Sequence, residues 1–160
     1  MKKLLMILTG LALINCAPKP QDSVGTVNPD LGIYLTVFLR EAAKNGRSVN
    51  QDSLSKLTIE FDAAVVYPTL GRCTVSTRGL KISVNPETWD DMQGPAKEEL
   101  MFHELGHCLL ALQHDDTEAR LYDYYNQLQG SYSGKASAMS TYHIWSDWYA
   151  SNRSYYVQKL

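Results

Sequence analysis

The chemistry of this chain is concentrated in the run from His103 to His114, which reads HELGHCLLALQH. Two histidines four apart project from one face of a helix about one turn apart, so both imidazoles can reach a single metal ion at Zn–N distances of about 2.0–2.1 Å. Glu104, beside the first of them, is placed to take a proton from a water held at that metal. Residue types and spacing together read as zinc-dependent hydrolysis.

A closed structural zinc site takes four protein ligands, often cysteines, whereas a hydrolytic one keeps three and leaves a place for water, so the third ligand decides between them. His114 is the leading candidate. It lies seven residues beyond His107, and an unbroken helix would carry it about 10 Å further along the axis, out of reach of a shared ion. The helix must therefore end near Leu112. Asp115 followed three residues later by Glu118 is a capping-box pattern that can start a new helical segment, and a break at Gln113-His114 lets His114 turn back. His143 is an alternative third ligand. Asp115, Asp116 and Glu118 also rank below His114, as a cap and solvated charges or as an aspartate that orients an imidazole from behind.

These residues resemble the metzincin side of the zinc metallopeptidases, whose longer signature is HExxHxxGxxH followed by a methionine turn beneath the metal. More closely, HELGHC with a histidine seven residues after the second one is similar to a group of small bacterial lipoprotein metallopeptidases in which a Ser-x-Met segment follows. Ser137-Ala138-Met139 fits that segment, so the resemblance implies that Met139 forms the floor under the zinc; a core methionine is the competing reading. It likewise makes Tyr142 a candidate donor to the oxyanion of a tetrahedral intermediate, against the plain alternative that it is one of ten tyrosines. Two positions depart from the metzincin pattern: Leu110 stands where the glycine would be, and the third histidine comes one place later.

The elements that must position these groups can be read from periodicity and punctuation. Leu100, Met101, Phe102, Leu105, Cys108, Leu109, Leu110 and Leu112 surround the histidines with apolar side chains, and Gly94-Pro95 with Glu98 and Glu99 marks a start, giving a buried helix from about Pro95 to Leu112. Leu31 to Lys44 is apolar at helical spacing and stops at Asn45-Gly46. Leu57 to Tyr67 alternates as a strand closed by Pro68, and Arg72 to Ser76 and Leu80 to Asn85 make two more around the turn Thr77-Arg78-Gly79. A helix, three strands and the zinc helix is the order of a minimal zincin core. In metzincins the strand before the zinc helix lies at the sheet edge and pairs with an extended substrate, which makes Leu80 to Asn85 the candidate substrate rail. Beyond Leu121 the chain reads as a helix, a Gly/Ser loop at Gly130 to Gly134 and a C-terminal helix. That stretch to Tyr156 carries eight of the ten tyrosines, as a cleft wall or as core filling.

At 160 residues there is room for one domain. Residues 1–16 stand apart: Lys2 and Lys3 precede a short apolar run, Leu4 to Ile14, too short to span a bilayer, and Leu13-Ile14-Asn15-Cys16 resembles a lipobox whose Cys16 becomes the lipidated first residue. Residues 17–30, with Pro18, Pro20 and Pro29, read as a tether, and 31–160 as the domain. Acylation of Cys16 leaves an even pair, Cys73 and Cys108, which an oxidising compartment could bridge; two separate buried thiols are the alternative. Removing the signal takes two lysines and no acids, leaving 13 basic against 17 acidic residues, a formal −4. No basic patch points to nucleic acid.

The expectation is an α+β, zincin-like domain with a small, mostly antiparallel or mixed sheet, an active-site helix and a C-terminal helix. It is exported, anchored to a membrane through lipid on Cys16, and hydrolyses peptide or protein substrates with Zn2+ on His103, His107 and His114 and Glu104 as base. A zinc amidase acting on cell-wall peptides is one alternative. A non-catalytic lipoprotein that binds metal or a partner is the other, and Glu104 argues against it because storage has no use for a general base.

Overall fold

Three asparagines start three helices. The side chains of Asn28, Asn50 and Asn85 each accept hydrogen bonds from first-turn amides of α1 (Pro29–Lys44), α2 (Gln51–Ser55) and α3 (Pro86–Asp91). Pro29 and Pro86 follow two of them, where a missing N–H costs nothing. The computed structural model describes residues 25–122, 128–135, 138–140 and 146–160.

Between these helices run β1 (Leu57–Phe61), β2 (Gly71–Ser76) and β3 (Gly79–Val84), ordered β1-β3-β2, with β1 parallel and β2 antiparallel to β3. One face of the sheet presents Leu57, Ile59, Ile82 and Val84, all buried, to α4 (Gly94–Leu110) and α1. Leu100, Met101, Phe102 and Leu105 of α4 and Leu31 and Phe38 of α1 complete this core, with Phe38 and Phe102 edge to face at 5.4 Å. Each such side chain contributes about 1.5–3 kcal/mol when fully buried. The helix that carries His103 and His107 is thus held by apolar contacts on both sides.

Beyond α4 come a hairpin, β4 (Glu118–Tyr122) and β5 (Leu128–Lys135), and α5 (Ser146–Gln158), kinked at Asn152. Helix α5 docks on α4 partly through polar groups: Tyr149 donates to Glu98 Oε1 at 3.0 Å, and Arg153 ion-pairs with the same oxygen. Burial, then the Glu98 carboxylate, pushes the Tyr149 phenol well above its usual range. The class is α+β, with five helices and a small mixed sheet among the described residues. Among those residues no helix is long and apolar enough to cross a membrane.

Several expected boundaries move. The first strand stops at Phe61 because Asp62 turns the chain: its amide donates to Val84 O and its carboxylate accepts from Ala64 N. The folded domain starts before residue 31, since Gly25 N donates to Ser55 O and Val27 pairs in parallel with Ile59, covering the outer edge of β1. Strand β3 lies in the middle of the sheet, so Leu80 to Asn85 is no substrate rail; β2 holds the edge. Leu121 and Tyr122 belong to β4, and Gly130 to Gly134 lie within β5, because cross-strand pairing from Glu118↔Lys135 onward sets the structure there. Asp115 starts no helix: it accepts from the amide and hydroxyl of Thr117 and leads into β4.

Candidate metal centre

Helix α4 carries His103, Glu104 and His107, and it ends at Leu110, two residues short of the expected end at Leu112. Ala111 takes a left-handed conformation, φ 53° and ψ 31°, and the amides of Ala111 and Leu112 both donate to Gly106 O. A non-glycine residue held there costs on the order of 1–2 kcal/mol. The reversal is made without a glycine, and it swings His114 back over the helix.

The three imidazoles converge. His107 Nε2 lies 3.1 Å from His103 Nε2 and 3.1 Å from His114 Nε2, and the third side, His114 to His103, is 3.3 Å. Two tautomers follow from their other partners. His103 Nδ1 lies 2.9 Å from Ala138 O and His107 Nδ1 2.7 Å from Leu112 O. A carbonyl can only accept, so Nδ1 carries the proton in each, and in the neutral rings both Nε2 lone pairs are bare. Bare lone pairs facing one another at 3.1 Å repel unless a cation lies among them. Tetrahedral ligands at about 2.0–2.1 Å are separated by about 3.3 Å, and the observed sides match. The residues fit a metal ion with three imidazole ligands and one side open.

Glu104 is buried beside this triad. It has room because Gly71, the first residue of β2, has no side chain: a Cβ there would lie 3.0 Å from Glu104 Cγ and 3.1 Å from its Oε1. Gly106 serves the opposite face of the helix. A Cβ on it would come within 2.6 Å of Met139 Sδ, so the buried thioether of Met139 packs directly on the turn between the two helical ligands. Met139 also binds the third ligand's neighbour, since Asp115 N donates to Met139 O at 2.8 Å. The Thr117 hydroxyl and amide hold the Asp115 carboxyl below the usual carboxylate range.

Cys73 and Cys108 form a disulfide, Cα–Cα 5.6 Å, joining β2 to α4 next to His107. Pro68 to Cys73 make one wall of a cleft of about 380 Å³, and His103, Glu104, His107, His114 and Ser140 line its base and far side. The structure therefore brings together His103, Glu104, His107, His114, Met139 and the cysteine pair. Cys16, Tyr142 and His143 lie outside the described residues.

Sequence reasoning missed Gly71, Ser140 and the structural duty of Gly106, and it took Asp116 only as a low-ranked ligand, a solvated charge or an orienting aspartate. Of the three missed, Gly106 alone left a signal. Glycine inside a helix costs about 0.5–1 kcal/mol relative to alanine, so its presence between two ligands implies a close neighbour. No protein-family model, curated protein or solved structure matches this chain.

Proposed function

We propose that this chain is a zinc-dependent peptidase of the bacterial cell envelope, held to a membrane by lipid on Cys16 and acting on peptides or proteins. The observation that carries the reading is the triad of Nε2 atoms at 3.1–3.3 Å with Glu104 lining the same cleft. Zinc fits a three-imidazole set with an open fourth position, and when bound it supplies a Lewis acid that polarises a carbonyl and acidifies water towards a pKa of about 7.

The residues of the chain do the rest. Glu104 takes the proton of the attacking water and returns it to the leaving amine, a step worth roughly 10²–10⁴-fold. The glycine at position 71 leaves its carboxylate space to face the cleft. An extended peptide would pair with β2, which has no outer partner among the described strands and borders the cleft with its first residues. Storage of metal alone explains neither the buried Glu104 nor the glycine fitted against it.

The test is zinc content together with cleavage of a mixed peptide library by the parent and by Glu104→Ala. The variant is expected to hold zinc at the parent's stoichiometry and to lose roughly 10²–10⁴-fold in kcat/KM. Equal cleavage by both would remove Glu104 from the reaction.

A further inference from the structure

The three ligands are not held alike. His103 and His107 ride on a buried helix and each gives its Nδ1 proton to a main-chain carbonyl. His114 is exposed, and among the described residues its Nδ1 has no hydrogen-bond partner. Its position must be set through the chain on either side of it. On the helix side that is the Leu112 amide on Gly106 O. On the other side it is the three-residue segment 138–140.

That segment touches every part of the centre. Ala138 O accepts from His103, the Met139 thioether packs on Gly106, and Met139 O accepts from the Asp115 amide. The fourth contact belongs to side chains alone: Ser140 Oγ donates to Asp116 Oδ1 at 2.9 Å. Ser140 is 2% exposed, so water competes poorly for this charge-assisted bond. Asp116 itself is exposed and two residues from His114.

We propose that the Asp116–Ser140 hydrogen bond is a clasp that positions His114, making both residues determinants of metal affinity rather than of the fold; the inference rests on the metal-centre reading above. Without the clasp the segment 113–117 loses a side-chain tie to 138–140, and more of its ordering becomes a cost of metal binding instead of a property of the free protein. Loss of a group that orients a metal ligand lowers affinity by about 10–100-fold.

The experiment measures zinc affinity by chelator competition, and the cobalt(II) absorption spectrum, for the full-length parent, Ser140→Ala, Asp116→Ala, the double variant and Ser140→Thr. Each alanine variant is expected to bind zinc about 10–100-fold more weakly. The double variant should be no weaker than either single one, because both remove the same bond. Ser140→Thr should restore affinity, and the cobalt band should weaken as water replaces His114. Metal-free Asp116→Ala should stay folded and melt near the parent, and Ser151→Ala, on α5, should match the parent throughout. Because Asp116 is exposed, its variant reads the bond free of any folding cost at Ser140. Unchanged affinity, or losses that add in the double variant, would overturn the clasp and leave the metal centre standing. A folded parent that takes up no zinc would overturn both.

Discussion

The two sides of the metal centre are built by different means. On one side, α4 and β2 are joined by a disulfide, packed through a shared apolar core, and fitted so closely that Glu104 meets the backbone of Gly71. On the other, the chain beyond Ala111 brings His114 back and is held by hydrogen bonds to the segment 138–140. The first side carries the proposed base and two ligands; the second carries the ligand that closes the set. Damage to the first should therefore appear as lost stability or lost chemistry, and damage to the second as lost metal.

The sharpest way to break that comparison is to remove one ligand from each side. His107→Ala and His114→Ala should both weaken zinc binding on the order of 10³-fold or more, above the 10–100-fold cost of losing an orienting group. Only His107→Ala should also lower the melting temperature of the metal-free protein, because it alone loses a bond to Leu112 O at the helix end. Equal melting temperatures would erase the distinction.

Next in size is the covalent tie. Replacing Cys73 and Cys108 by serine opens a loop of 35 positions. In the chain-entropy model this costs about 3–4 kcal/mol, which is about 10 °C in melting temperature for a domain of this size. A melt that does not move would mean that the apolar contacts alone fix β2 against α4.

A smaller change tests the fit at the proposed base. Gly71→Ala places a methyl 3.0 Å from Glu104 Cγ and 3.1 Å from Leu100 Cδ1. Displacing the carboxylate should lower kcat by about ten- to a hundredfold, with zinc content unchanged in metal analysis. Lost zinc with preserved turnover per bound ion would place Gly71 on the wrong side of the comparison.

The smallest effect concerns how α5 backs the helix. Tyr149→Phe should cost about 1 kcal/mol near neutral pH in denaturant titrations. The folded phenol titrates above its unfolded value of about 10, so its contribution is complete below that pH and is lost as pH rises beyond it. Stability of the parent should fall more steeply than that of Tyr149→Phe above about pH 10.

How much of this was legible depends on what each residue answers to. The metal helix and α1 declare themselves through local apolar periodicity, and the reach of His114 follows from helical rise alone. The cysteine pair is legible from parity once Cys16 is set apart as a lipidation site. The hairpin β4–β5 is not, because its pairing depends on partners up to seventeen positions apart rather than on any local pattern. The edge position of β2 is equally hidden: chain order places β3 next to the helix, while the parallel pairing of β1 with β3 moves it to the middle. Gly71 and Ser140 acquire meaning only by tertiary proximity, and nothing in their neighbours announces it; Asp116 stands out only by lying two places after His114. Ala111 shows the reverse case, where a residue with poor left-handed preference is overruled by two amides that must find Gly106 O.

The bridge between Cys73 and Cys108 encloses β3, α3 and most of α4, including His103, Glu104 and His107. Thr77 and Arg78 lie exposed within that span. A protease that nicks the turn there leaves two fragments still tied together through the disulfide. Under denaturing conditions such a clipped molecule would run as one piece until thiol is added.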